Sequence, residues 1–270
     1  MIAPRVGGNA VRLCLHAIPI IQSRAHTMPR ASLLAKIPVT IEFPDAMQDA
    51  VTYVLSGEYE SGFDGAGLTI LDIGANVGSF ALWASLRWPG STIHCYEPNP
   101  GTFAYLSRNM AGHSNVHCVN AAVFTGDAKK AAFFSRFAGD GEAGLVSYAS
   151  DTFRAGVVRP TFEVDVVSPT KLPKADLVKL DIEGGEAEVL GSLDLAGVSM
   201  VLGEFQNRRN RIAMQATLAK AGFEAIRDEE CPWDPILDYK DYRADLKGDI
   251  YGHMFYTRKG QTKLRRGLAA

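Results

Sequence analysis

The sequence predicts an α/β fold with a doubly wound, mostly parallel sheet, and three stretches carry that expectation. Leu68 to Gly78 reads LTILDIGANVG, Ser91 to Pro98 reads STIHCYEP, and Asp176 to Gly185 reads DLVKLDIEGG. Each is a run of β-formers ending in an acid, and the first and third pass through glycines into a helix-compatible segment. Strand, glycine turn and helix build the crevice at the carboxyl ends of an open α/β sheet, where ligands bind.

In the first stretch Asp72 ends the strand, and Gly74, Asn76 and Gly78 precede SFALWASLRW. Gly74 allows a tight turn and lets a ligand approach atoms that a Cβ would cover. Gly78 lets the helix pack closely on the strand. Asn76 stands where the dinucleotide fingerprint needs its second glycine, so the turn favours a ligand without a diphosphate. Glu97 ends the second strand, nineteen residues after Gly78. An ionised carboxylate only accepts hydrogen bonds, which suits both ribose hydroxyls of an adenosine. A glycine turn with one strand-end acid also arises by chance in α/β proteins, so the pair gains weight only from the rest of the chain.

A chain of 270 residues buries a full single-domain core, with room for an arm or an insertion. Its net charge of −2 supplies no broad attraction for nucleic acid. Cys14, Cys95, Cys118 and Cys231 are scattered, without a CxxC pair or a zinc-like Cys/His spacing. This usage suits a reducing cytosol, and a cytoplasmic location is expected. No apolar run approaches the roughly 20 residues that span a bilayer. Before Glu42 there are five basic residues, Arg5, Arg12, Arg24, Arg30 and Lys36, and no acid. With the apolar run LCLHAIPII, that bias leaves two readings open: a targeting or membrane-surface segment, or an unstructured arm, with Met28 as an alternative start.

In order along the chain, residues 1–36 are the basic arm. Residues 37–66 are a cap, with VTIEF as a short strand, DAMQDAVTYVLSGEYE as a helix with its loop, and a glycine-rich lead into the core. Glu58 and Tyr59 come within reach of the ligand if the cap folds back; otherwise they are a surface acid and an anchoring aromatic. Residues 67–258 form the core. Pro98 and Pro100 open a helix that Gly112 ends. Asn115 to Val123 is the third strand, with Asn120 and Ala121 at its end. Residues 124–167 hold AAFFSRF, GLVSYAS and TFEVDVV, read as a β insertion of one or two hairpins over the sheet. Asp181 and Glu183, two apart at the end of the fourth strand, point the same way. EAEVLGSLDL is a helix, SMVLGEFQ a fifth strand bearing Glu204, and RNRIAMQATLAKAGF a helix that stops at Gly222. FEAIRDEE and DIYGHMFYTRK are the last strands, expected antiparallel, and 259–270 is a basic tail.

In order and spacing, DIGANVG, YEPNP, NAAV, VKLDIEGGEAEVL and LGEF resemble the FkbM-type family of S-adenosylmethionine-dependent methyltransferases. The resemblance runs from about Tyr53 to Phe223, and the K-x-D-x-E-G-x-E element is not part of the generic methyltransferase pattern. It implies a class I methyltransferase (Rossmann-like) sheet of seven strands, six parallel and one antiparallel. It also implies methyl transfer from S-adenosylmethionine to oxygen, with S-adenosylhomocysteine as product. Carried over, Gly74, Asn76 and Gly78 bracket the methionine part of the cofactor and Asp72 helps hold its amino group. Glu97 takes the ribose hydroxyls with Asn99 nearby, Asn120 and Ala121 border the adenine, and Asp181 and Glu183 lie near the sulfonium. Gly185 departs from the family, which commonly has alanine there.

For the chemistry, Glu183 or Asp181 is the candidate to orient or deprotonate the acceptor, with Glu204 second; a role in binding the sulfonium competes with a role as base. His253 is a further candidate base, though a lone strand histidine is more often structural. Asp181, Glu183 and Glu204 offer oxygen ligands to a hard cation, but no dedicated ligand cluster is apparent and no metal is expected. The acceptor is expected to be a small molecule, sugar or natural-product skeleton, with its specificity set by the insertion and the cap. Two other functions stay open: a non-catalytic cofactor-binding protein, and a nicotinamide-dependent oxidoreductase.

Overall fold

In a computed structural model of the chain, the structure describes residues 10–14, 40–141, 143–148, 160–231 and 251–261, with the backbone alone at 10–14 and 231. The readings on the rest of the amino-terminal arm, Met28 included, and on the tail beyond residue 261 lie outside the described residues. Within the stretch expected as an arm, β1 (Ala10–Cys14) pairs antiparallel with β2 (Thr40–Pro44). A single 3-10 turn then leads into α1 (Gln48–Leu55).

The core alternates strand and helix: β3 (Thr69–Ile73), α2 (Ser79–Arg87), β4 (Thr92–Tyr96), α3 (Pro100–Met110) and β5 (Val116–Val119). After the insertion come β10 (Leu177–Leu180), α4 (Glu186–Ser192), β11 (Met200–Phe205), α5 (Arg208–Lys220), β12 (Phe223–Cys231) and β13 (Tyr251–Arg258). These strands form one seven-stranded sheet in the order β12-β13-β11-β10-β3-β4-β5. β13 alone runs against its neighbours β11 and β12, so six strands are parallel and one antiparallel. This is the strand arrangement that the family resemblance implies.

The central strands are apolar on both faces because helices cover both. Ile70, Ile93, Leu177 and Met200 pack on one side with Phe80, Trp83 and Leu106. Leu71, Val178 and Val201 pack on the other with Val189, Leu190, Met214 and Leu218. The first cluster also takes in Met47, Val51, Leu55 and Tyr59, so the cap shares the main core. Trp88, fully buried, donates its indole N–H to the carbonyl of Phe63 at 2.9 Å and ties the glycine-rich lead to α2. Each large apolar side chain buried in this way is worth about 1.5–3 kcal/mol.

The third strand differs from expectation. The main sheet keeps only β5, and after a break at Asn120 and Ala121 the chain starts β6 (Ala122–Val123) in a second sheet. The Asn120 amide donates to the carbonyls of Glu97 (2.8 Å) and Pro98 (3.0 Å), which draws the chain out of the main ladder. β7 (Lys130–Phe134), β8 (Gly144–Leu145) and β9 (Phe162–Val167) complete this sheet in the order β6-β9-β7-β8. Among the described residues no helix is long and apolar enough to cross a membrane.

Candidate active site

A cleft of about 620 Å³, its open mouth included, lies at the carboxyl ends of β3, β4 and β10. Gly74, Asn76, Glu97, Asp181 and Glu183 line one part of it, and Ala122, Val123, Phe133, Leu145 and Tyr148 another.

The glycine turn folds as its residues require. Gly74 has φ +82°, and a Cβ there would overlap the carbonyl oxygen of Asp181. The N–H groups of Gly74 and Ala75 both donate to the Tyr96 carbonyl at 3.0 Å, which locks the tips of β3 and β4 together. Asn76 takes φ +49°, a left-handed conformation that asparagine tolerates better than most residues. Its N–H donates to Glu97 Oε2 at 3.0 Å, while Asn99 N–H donates to Oε1 at 2.9 Å, so two backbone donors aim the Glu97 carboxylate. Burial pushes the Glu97 carboxyl up to about 7, against the pull of those donors. Asn76 Oδ1 is buried with no protein partner, an acceptor left for a ligand.

Beneath the turn lies Lys179, the first residue of the K-x-D-x-E-G-x-E element, to which the sequence reading gave no role. Its Nζ donates to the Gly74 carbonyl at 2.7 Å and stands 3.6 Å from Asp72 Oδ1 and 3.5 Å from Asp181 Oδ2. Burial alone would lower this ammonium, but Asp181 and Asp72 outweigh it and push it up to about 12. The signal was a lysine inside an otherwise apolar strand, two residues before an acid. Asp72 is fully buried between Lys179 and the Cys95 thiol, whose Sγ lies 3.8 Å from Oδ2. It therefore supports the turn from below and does not line the cleft.

At the tip of β10, Glu183 is held at φ +57°. Burial and the neighbouring Glu204 raise the Asp181 carboxyl to about 6. Glu186, the last acid of the K-x-D-x-E-G-x-E element and given no role from the sequence, is fully buried and accepts N–H bonds from Ile182 (3.2 Å) and Gly184 (2.9 Å). It braces the DIEGG turn from inside, and burial pushes its carboxyl up to about 8. Gly185, the departure from the family, has φ +85°, and a Cβ there would collide with the Tyr148 ring.

The remaining expected residues stand behind the cleft wall. Asn99 caps α3, accepting from Gly101 N–H at 3.0 Å and donating to Ser135 Oγ at 2.8 Å. Asn120 shapes the β4 tip, Ala121 is buried at the strand break, and Ala122 and Val123 supply the wall expected of their predecessors. Gly78 caps α2 close against Leu106 of α3. Tyr59 is buried, its ring 5.1 Å from Phe80 and 6.0 Å from Phe255.

Glu58 meets His253 Nε2 at 2.8 Å, and Glu204 Oε1 lies 3.2 Å from the same nitrogen. Arg227 Nη2 stands 3.3 Å from His253 Nδ1, and a guanidinium only donates. Nδ1 is thus the acceptor, and the Nε2–H points at both glutamates. Asp181, Glu183 and Glu204 bring ligating oxygens within 4.8 Å of one another, as do Glu58, Glu204 and His253 with their ligating atoms. With Nδ1 accepting from Arg227, His253 donates from Nε2 to the two glutamates.

A family model described as the methyltransferase FkbM domain matches residues 72–232. Methyltransferase 1 of Beauveria bassiana is 29% identical over 200 residues, covering 66% of this chain and 80% of its own. The 31-O-demethyl-FK506 methyltransferase FkbM of Streptomyces tacrolimicus is 47% identical over 47 residues, covering 17% of this chain and 18% of its own. Among solved structures, a precorrin-6y C5,15-methyltransferase from Geobacter metallireducens aligns at 17% identity with a TM-score of 0.41, covering 78% and 87% of the two chains.

Proposed function

The chain belongs to the FkbM methyltransferase family, with S-adenosylmethionine as cofactor, and on that premise we propose that it is an O-methyltransferase acting on a small molecule, sugar or natural-product skeleton. The observation that carries the reading is the Glu97 carboxylate, aimed by Asn76 and Asn99 into a cleft that also exposes Asp181 and Glu183. The cleft fits the cofactor. Asn76 Oδ1 has no protein partner, and Glu97 offers acceptors to ribose hydroxyls.

Bound, the cofactor supplies a methyl group on a positively charged sulfur. Gly74 and Asn76 seat its amino-acid end, with Gly78 closing the turn behind them. Asp72 and Lys179 hold that turn in place, and Asn99 and Asn120 fix the strand tip that bears Glu97. Glu183 or Asp181 orients or deprotonates the acceptor, with Glu204 second; a carboxyl raised to about 6 suits a base working near neutral pH. Glu58, Tyr59 and His253 close the back of this acidic group. Aligned reactants alone lower such a barrier by about 7–11 kcal/mol, and a base adds about 10²–10⁴ in rate.

The acceptor is a hydroxyl or carboxylate, and nucleic acid is disfavoured by a net charge of −2. The name of the Streptomyces relative, a 31-O-demethyl-FK506 methyltransferase, supports the small-molecule reading. We place the protein in the cytoplasm, in keeping with the free thiols of Cys95 and Cys118. Incubation with methyl-labelled cofactor and an acceptor library containing polyols, polyketides, carboxylic acids and RNA tests the reading. Label in an RNA arm alone overturns it. Glu183→Gln should keep affinity for S-adenosylhomocysteine and lose turnover; unchanged turnover removes Glu183 as base.

A further inference from the structure

Strands β4 and β5 bring two cysteines together. Cys95 and Cys118 are register partners in adjacent parallel strands, and both thiols are free. Their side chains share one face of the sheet: Cys95 belongs to the core cluster of Phe80, Trp83 and Leu106, and Cys118 packs against it. They differ in access. Cys95 is fully buried, whereas β5 ends the seven-stranded sheet and Cys118, on that outer strand, is only partly buried. On its other side Cys95 Sγ lies 3.8 Å from Asp72 Oδ2, and Asp72 in turn faces Lys179, whose ammonium holds the Gly74 carbonyl. The single Cys95 proton thus has two acceptors, Cys118 and Asp72. Donation toward Cys118 lowers that thiol from its ordinary value, while the same contact and burial hold Cys95 well above its own.

We propose that Cys95 and Cys118 are a reversible redox pair, which a hydroperoxide closes to a disulfide, and that closure loosens the glycine turn. Register neighbours on adjacent strands lie about 4.8 Å apart, within the range of about 4.4–6.8 Å between α-carbons that a disulfide spans. Cys118 is the attacking group, because it is the thiol that a solute reaches and the one more readily ionised. Its thiolate attacks a peroxide oxygen: an S–O bond forms, the O–O bond breaks, and the departing oxygen leaves protonated, with Cys118 as a sulfenic acid. Cys95 then attacks the Cys118 sulfur. The S–S bond forms, and the hydroxyl departs as water with the Cys95 proton, so two thiols lose two electrons and one peroxide gains them. The disulfide removes the S–H that faced Asp72. Asp72 Oδ1 has no hydrogen-bond partner among the described residues, so Lys179 remains as its support. The ammonium, drawn toward that carboxylate, then holds the Gly74 carbonyl less firmly.

The test uses the full-length protein with Cys14→Ser and Cys231→Ser, so that only this pair carries thiols. Hydrogen peroxide should remove both thiols, lower the mass by two hydrogen atoms and give, on digestion, a linked peptide pair containing Cys95 and Cys118. Dithiothreitol should restore both thiols. With Cys95→Ala added, Cys118 should pass on to the sulfinic acid; with Cys118→Ser added, the buried Cys95 thiol should survive the same treatment. Sulfinic acid on Cys118 of the paired protein, without a linked peptide, would overturn the proposal. Calorimetry with S-adenosylhomocysteine reads the turn: the oxidised protein should bind about threefold more weakly or worse, and dithiothreitol should reverse the loss. A linked pair with unchanged affinity would overturn the coupling to the turn. The binding arm rests on the methyltransferase reading, and a reduced protein that binds none of this ligand sinks that reading while the peptide arm still decides the pair.

Discussion

The ammonium of Lys179 donates to the carbonyl oxygen of Gly74 at 2.7 Å, so the glycine turn rests on a charge supplied from a strand 105 residues further along the chain. Asp72 and Asp181 flank that ammonium, and Lys179 and Asp72 are sealed from solvent. Lys179→Met removes the shared counter-charge and leaves a carboxylate buried without one. The expected cost is about 3–5 kcal/mol in unfolding free energy, read from urea denaturation. A loss below 1 kcal/mol would show that the two carboxyls are already neutral in the native protein.

Four carboxyls titrate upward, Asp181 to about 6, Glu97 to about 7, Glu186 to about 8 and Asp72 above its ordinary value, with burial the first cause in each. The folded protein then holds protons that the unfolded chain has released. Their contribution to stability is fully present below about pH 4 and is lost as pH rises through 6 to 8. The melting temperature of the unliganded protein should fall across that window, and Glu186→Gln should flatten the upper part of the slope.

Ligand binding couples to the same proton with the opposite sense. Ribose hydroxyls donating to Glu97 favour its ionised form, so binding releases a proton. Affinity for S-adenosylhomocysteine should be about tenfold weaker at pH 6 than at pH 8. Calorimetry in buffers of different ionisation enthalpy measures the proton released, and uptake instead of release would contradict the assignment of Glu97.

Gly74→Ala places a methyl group against the Asp181 carbonyl and imposes φ +82° on a residue with a side chain. Overlap and backbone strain together should cost about 3 kcal/mol or more. Gly112→Ala, where nothing stands within 4 Å of the added carbon, is the matched control for thermal unfolding.

His253→Leu removes the N–H that points at Glu58 and Glu204, and leaves the Arg227 guanidinium without the Nδ1 acceptor. Stability should drop by about 1–3 kcal/mol. Cofactor affinity should change less than threefold, because His253 does not line the cleft. A much larger loss of affinity would move the amino-acid end of the cofactor toward this histidine.

What the sequence made legible was local. DIGANVG, YEPNP and DIEGG each write a strand, an acid and a turn within ten residues, and the structure brings all three tips to one cleft. The strand count and the antiparallel last strand followed from the same patterns and from the family resemblance. Features that depend on distant partners were not legible. Lys179 and Glu186 belong to the K-x-D-x-E-G-x-E element, but their partners, the Gly74 carbonyl and the Ile182 and Gly184 N–H groups, appear only in the fold. The early end of β5 depends on Asn120 reaching back to Glu97. Tyr148 and Gly185, 37 residues apart, make sense only as a pair in contact.

The fully buried Trp88, with Trp83 and Phe63 around it, welds the lid of the molecule to its body. Prising up that side would wet several indole and phenyl rings together, at about 1.5–3 kcal/mol each. The cheaper doorway lies across the molecule, where a thin four-stranded flap guards the crevice with a far smaller apolar interior. Spent donor should leave, and fresh donor arrive, by that route.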